Sequence, residues 1–166
     1  ARALRALAGA DHATALGPLD EGARIGASPA GDAGTLRLWG ADHVEAAAGA
    51  GEPARAAEVL RGLTACATEA RSPELDAVAL RAAGIVAGPL DVDLLFQEAL
   101  AMHAFRPVPF ECARTRLLYG ERLRRAGRHD EADGQMSAAL TAFERLGARG
   151  WASRCRMPAA WRGGSA

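Results

Sequence analysis

The sequence predicts an all-α fold of helix hairpins stacked on one another, and three observations carry that expectation. Apolar residues recur at steps of three and four between breaks made by Gly and Pro, which is the period of one helix face. Ala supplies about a quarter of the 166 residues and aromatics only 5%, so the helices must pack closely through small side chains and a β-sandwich is excluded. Gly51 and Gly127 lie 76 residues apart and head matching apolar registers, which is two periods of about 38, and such self-similarity is the mark of repeated helix pairs.

Taken in order, residues 1–8 and 13–26 form a first, irregular pair. Leu36 to Ala48 and Pro53 to Ala70 form the next, separated by a Gly-rich break, with Ala56, Leu60, Leu63 and Ala67 on one face of the second helix. Residues 73–86 and 90–104 make a third pair, started by Ser72-Pro73 and split at Gly88-Pro89. Pro109 opens the next helix at its first position, with Glu111 in the first turn and Gly127 as its stop. Asp130 to Leu146 closes that hairpin, its stripe running through Ala132, Met136, Ala139, Leu140, Phe143 and Leu146 up to the Gly147 cap. Laid on one another, Gly127, Ala132, Met136 and Ala139 repeat the steps of Gly51, Ala56, Leu60 and Leu63, with Val92, Phe96 and Ala99 in the middle register and Ala15, Leu19 and Gly22 before them. A single hairpin cannot bury its apolar face, so neighbours stack, with small residues where backbones approach.

Composition also excludes chemistry. All twenty basic residues other than His are Arg, which removes a Walker A lysine, a Schiff-base lysine and a kinase-type lysine. Cys66, Cys112 and Cys155 stand apart without a Cys-x-x-Cys or a nearby His, so neither a zinc site nor a redox pair is expected, and a reducing, cytoplasmic setting fits. His12, His43, His103 and His129 are scattered and read as packing or surface groups. Glu21, Glu45, Glu98 and Glu121 fall on separate helices but lack the Glu-x-x-His pairs of a carboxylate metal bundle. With no nucleophile motif, an enzyme is not expected, and no cofactor or metal is. The longest uncharged apolar stretch, Ala82 to Leu90, is far short of the roughly 20 residues a membrane span needs.

Tyr119-Gly120, Leu123, Ala132 and Met136 reproduce part of the tetratricopeptide-repeat outline, with Arg116 where that repeat has Trp. The chain therefore resembles tetratricopeptide-like hairpins, a resemblance that implies a right-handed superhelix. Residues 107–152, from Pro107-Val-Pro-Phe-Glu-Cys-Ala through Ala132 to Phe143 and Glu144-Arg-Leu-Gly-Ala-Arg-Gly-Trp-Ala, are similar to the last helical repeat of the large ATP-binding LuxR-type, MalT-like bacterial transcriptional regulators. The earlier hairpins, from His43-Val-Glu-Ala to Leu63, are similar to the preceding repeats of that family. The resemblance implies a sensing and coupling region that receives an inducer or protein partner in its groove, beside the ATPase and the helix-turn-helix DNA-binding module of a parent chain. A free-standing protein-binding adaptor is the alternative.

Residues 1–157 are expected to form one helical-repeat domain, and 158–166 an irregular tail. The chain opens within a helix and, after Ser153, leaves the expected pattern, so a fragment of a longer protein with a truncated or frameshifted end is expected. Charge is uneven: eight Arg against fourteen acids over residues 1–105, net −6, and twelve against six over 106–166, net +6. Within the basic third, Arg114, Glu121 and Arg125 are spaced by seven and four on one helix face, either a partner-binding wall of the groove or a solvated face. Direct nucleic-acid binding is not expected, because acids interleave with the Arg residues and few aromatics are available for stacking. Trp39 is assigned to the core, and Trp151 to docking of the last helix.

Overall fold

The structure, a computed structural model, describes residues 1–26, 34–105 and 107–156. Among these, the regular elements are helices: α1 (Arg2–Ala8), α2 (His12–Gly26), α3 (Gly34–Gly49), α4 (Pro53–Ala70), α5 (Pro73–Val86), α6 (Val92–Phe105), α7 (Pro109–Arg125), α8 (His129–Arg145) and α9 (Arg149–Arg156). Prolines at the first position start α4, α5 and α7, where the missing N–H costs nothing. Ser72 caps α5, its hydroxyl accepting the Leu75 N–H. The tail expected at 158–166, and Trp161 within it, lie outside the described residues.

Four turns share one construction. After α1, α3, α7 and α8 the chain places Ala10, Gly51, Gly127 and Gly147 at positive φ. The next residue's N–H then reaches back to the helix: Asp11 to Ala6 O, Glu52 to Ala47 O, Arg128 to Leu123 O and Ala148 to Phe143 O, all at 2.9–3.0 Å. This is the six-to-one closure of a Schellman turn, which favours glycine at the left-handed position. Gly51 and Gly127, the two glycines that head the repeated registers, thus do the same mechanical work. The α5–α6 turn at Gly88-Pro89 is built differently, with Ala87 extended at φ −61° and ψ 152°.

Consecutive helices pack as pairs, α1 on α2, α3 on α4, α5 on α6 and α7 on α8. The odd-numbered helices also touch one another: α1 on α3, α3 on α5, α5 on α7 and α1 on α9. The first and last described helices therefore meet. Ala56, Leu63 and Ala67 on α4, Phe96 and Ala99 on α6, and Ala132, Met136, Ala139 and Phe143 on α8 are buried, as their spacing predicts. Leu146, placed on the same stripe by sequence, is about half exposed because it is the C-cap residue, past the last helical turn. Close approach is visible where α7 meets α8: a Cβ on Gly120 would lie 2.8 Å from Met136 Cγ and 3.2 Å from Ala132 O. Trp39 is partly buried against the main core, and Trp151 is buried.

One expectation is corrected. The sequence after Ser153 predicts a departure from the helical pattern, yet α9 runs on to Arg156. The reason is burial: Arg154 and Cys155 face inward, and Arg154 and Arg156 in the last turn suit the helix's negative end.

Candidate functional site

Residues 40–47 of α3 are all buried, so this stretch has no solvated face, yet Asp42 and Glu45 sit on it three residues apart. Carboxylates buried in this way need cationic partners. Arg114, on α7, supplies one: its Nη1 lies 2.6 Å from Asp42 Oδ1 and its Nη2 donates to Glu45 Oε2 at 2.7 Å. Arg154, on α9 and fully buried, supplies the other. It grips Glu121 with two bonds, Nε to Oε1 and Nη2 to Oε2, both 3.0 Å. Its Nη1 donates to Glu45 Oε1 at 2.6 Å and to the Leu7 carbonyl of α1 at 2.7 Å. Arg81, on α5, donates to Glu111 in the first turn of α7, whose other oxygen lies 3.9 Å from Arg114. One buried ionic network thereby touches all five odd-numbered helices.

An aromatic platform holds the two central guanidiniums. Trp151 stacks on Phe143 with centroids 5.8 Å apart, and Phe110 meets both edge-on. Arg114 lies 4.7 Å and Arg154 5.6 Å from the Trp151 ring centre, within reach of cation–π attraction. Trp151 thus docks α9 by stacking and also seats the charges that α9 shares with α3 and α7.

The network sets its own protonation. Burial pushes the Glu45 carboxyl up, but the Arg154 and Arg114 guanidiniums prevail and lower it to about 2. For Asp42, burial outweighs the attraction of Arg114, and its pKa is raised. Burial likewise opposes, and Arg81 and Arg114 overcome, the shift at Glu111, which is lowered. Burial works against the charge on Arg114 and Arg154, but their carboxylate partners raise both. Beside the network, Thr115 Oγ1 donates to Glu111 O at 3.0 Å and lies 3.1 Å from His103 Nε2. With its one proton committed to the carbonyl, the hydroxyl accepts from His103, so Nε2 carries the hydrogen.

Next to this network a pocket of about 290 Å³ opens, with His12, Ile85, Leu118, Glu121, Arg122 and Arg125 on its wall. That is close to the smallest volumes, about 300 Å³, at which small-molecule sites occur. The ring of His12 fits against Gly49, where any Cβ would overlap it. Burial, and then Arg154, lowers the His12 pKa.

The three residues singled out by spacing are therefore placed as follows. Arg114 and Glu121 are buried, 2% and 6% exposed, and bonded within the network, so neither lies on a solvated face. Arg125 is at the pocket's mouth, its side chain 54% exposed and 4.0 Å from Glu121. Glu121 and Arg125 share the pocket, while Arg114 stands behind it. Sequence reasoning missed Asp42, Arg81 and Arg154. The available signal was Asp42 and Glu45 set with His43 among Ala41, Val44, Ala46 and Ala47, an acidic pair in a mostly apolar stretch. His43 and His103 are buried and His129 is exposed.

Among the described residues, no group of three or more His, Cys, Asp or Glu is placed to hold a metal ion, and no helix is long and apolar enough to cross a membrane. No protein-family model, curated protein or solved structure matches the chain.

Proposed function

We propose that the chain is the sensing and coupling region of a cytoplasmic LuxR-type transcriptional regulator. Its tetratricopeptide-like hairpins stack in a right-handed superhelix whose inner face receives an inducer or a protein partner. The observation that carries this reading is the pocket on the side of the odd-numbered helices, with Glu121 and Arg125 on its wall and Arg114 bracing the carboxylates behind it. The four Schellman turns, two of them 76 residues apart, support the repeat assignment.

Coupling follows from Arg154. This side chain lines the pocket and binds α1, α3 and α7 at once from α9. A ligand that prefers one setting of that network favours one placement of α9, and of whatever module the parent chain carries beyond it. Such a shift requires different affinities for the two arrangements.

The test is the reading frame that encodes the chain. Translation of about two kilobases on either side, the reach of separate ATPase and DNA-binding domains, is expected to reveal a Gly-x-x-x-x-Gly-Lys-Ser/Thr phosphate loop upstream and a helix-turn-helix downstream. In that full-length regulator, removing these hairpins abolishes the response to inducer. An unchanged response, or stop codons close on both sides, overturns the proposal and leaves a free-standing protein-binding adaptor.

A further inference from the structure

The pocket wall carries three guanidiniums, of Arg122, Arg125 and Arg154, against the two carboxylates of Glu45 and Glu121. Glu45 is held by Arg114 and Arg154, and Glu121 takes two bonds from Arg154. Both carboxylates of the wall are therefore already bonded to guanidiniums behind them. Arg125 reaches Glu121 only at 4.0 Å and is half open to solvent. Arg122, one turn earlier on the same face of α7, donates from Nη2 to the Ala87 carbonyl at 2.7 Å, while its Nε is buried without a partner. Among the described residues no carboxylate pairs with Arg122. Burial, and then repulsion from Arg125, lowers its pKa, so the two guanidiniums disfavour each other.

We propose that Arg122 and Arg125 form a site for the carboxylate or phosphate group of a small organic anion, with Ile85 and Leu118 against its carbon skeleton. The inference rests on the pocket being the sensing site and specifies what it senses. Two guanidiniums at i and i+3 present planar forks of N–H donors, the geometry that suits a planar or tetrahedral oxyanion. An anion between them relieves their repulsion and offers an acceptor for donors that the chain itself leaves open. Arg122 and Arg125 also line a second pocket of about 220 Å³ formed with Pro89, Val92 and Leu123, so both stand on the partition between the two.

The test is isothermal titration of the intact chain at low ionic strength with citrate, with inorganic phosphate and with glucose as a neutral probe. Citrate or phosphate binds, and the arm that gives the tighter Kd identifies the carboxylate or the phosphate class. Arg122→Gln and Arg125→Gln each raise that Kd at least about tenfold, as loss of a charge-assisted contact requires. Arg124→Gln, whose guanidinium pairs with Asp133 instead, changes it less than about twofold. Far-UV circular dichroism confirms that the variants fold, and Arg125→Lys retains part of the affinity because the charge remains. Silence in both anion arms, or binding indifferent to Arg122 and Arg125, overturns the inference. Glucose binding that ignores both arginines leaves the sensing pocket standing while refuting its anion specificity. Anion binding through Arg122 and Arg125, with a regulator that ignores deletion of these hairpins, refutes the regulatory reading and leaves the site.

Discussion

Replacing Arg154 by Met tests the buried network at its centre. Methionine keeps an unbranched, apolar stem against Trp151 but removes the charge and four hydrogen bonds: two to Glu121, one to Glu45 and one to Leu7 O. Glu45 retains Arg114, but Glu121 is left with Arg125 at 4.0 Å. Removing one member of a buried pair costs about 3–5 kcal/mol, because the remaining charge stays desolvated. For a domain of this size each kcal/mol lowers Tm by roughly 2–4 °C, so Arg154→Met melts about 6–20 °C below wild type. Urea unfolding followed by circular dichroism measures the loss as a fall in midpoint at constant slope. The cost also carries a pH signature. Glu45 is depressed from 4.5 to about 2 in the folded chain, so its contribution is present above pH 4.5 and is lost as pH falls toward about 2. In the variant Glu45 has lost one of the two guanidiniums that depress it, so it takes up a proton more readily and the deficit against wild type shrinks on acidification. The double variant Arg154→Met with Glu121→Gln recovers at least about 1 kcal/mol relative to the sum of the single changes. A loss below about 1 kcal/mol, or a deficit that grows on acidification, would refute the reasoning.

Asp42→Asn removes a carboxyl whose pKa burial has raised. A raised folded pKa makes stability fall as pH climbs above 3.8, so the variant's stability profile is flatter at higher pH, while the acid limb from Glu45 remains; melting temperature against pH reads both limbs. Ala10 occupies at φ 56° the position that Gly51, Gly127 and Gly147 fill elsewhere, so Ala10→Gly stabilises by up to about 1 kcal/mol and Gly127→Ala destabilises by a similar amount in thermal melts. Gly84→Ala places a Cβ 2.7 Å from Phe96, whose ring is stacked on Tyr119 at 5.0 Å and cannot easily retreat. Overpacking of that kind costs about 1–3 kcal/mol in urea unfolding, and a neutral effect would mean the α5–α6 contact is looser than described.

The helices were legible in the sequence because local signals agree with one another. Pro53 to Ala70 and 73–86 match α4 and α5 at both ends, since Pro at the first position, the Ser72 cap and the amphipathic stripe all mark the same boundaries. Even the turn glycines were found, because a left-handed residue is a local demand. The network was not legible, because its pairs span long stretches of chain: Arg114 to Glu45 across 69 residues and Arg154 to Glu45 across 109. A spacing of seven and four placed Arg114, Glu121 and Arg125 on one face correctly, but spacing reports which residues share a face and not what covers it. Here α3 and α9 cover the Arg114 and Glu121 end and leave Arg125 at the rim. The end of α9 was hidden for the same reason: Arg154 is held by partners on three other helices, which no local spacing reports.

A buried ion network is a poor way to gain stability, since apolar residues of equal volume often do as well or better. Its effect on geometry is different. An apolar interface between α9 and its neighbours would tolerate sliding by a fraction of a turn, because dispersion contacts are non-directional. Arg154 does not tolerate it: its guanidinium must reach Glu121 in two-bond register, Glu45 and the Leu7 carbonyl from one position, over the Trp151 ring. The setting of α9 is therefore closer to all-or-none than continuous. Because Glu45, Glu121 and Arg154 also line the pocket, a charged occupant there acts on the same carboxylates that hold α9 in register. A pocket walled by apolar groups could bind a ligand as tightly, but it would have no comparable hold on the last helix.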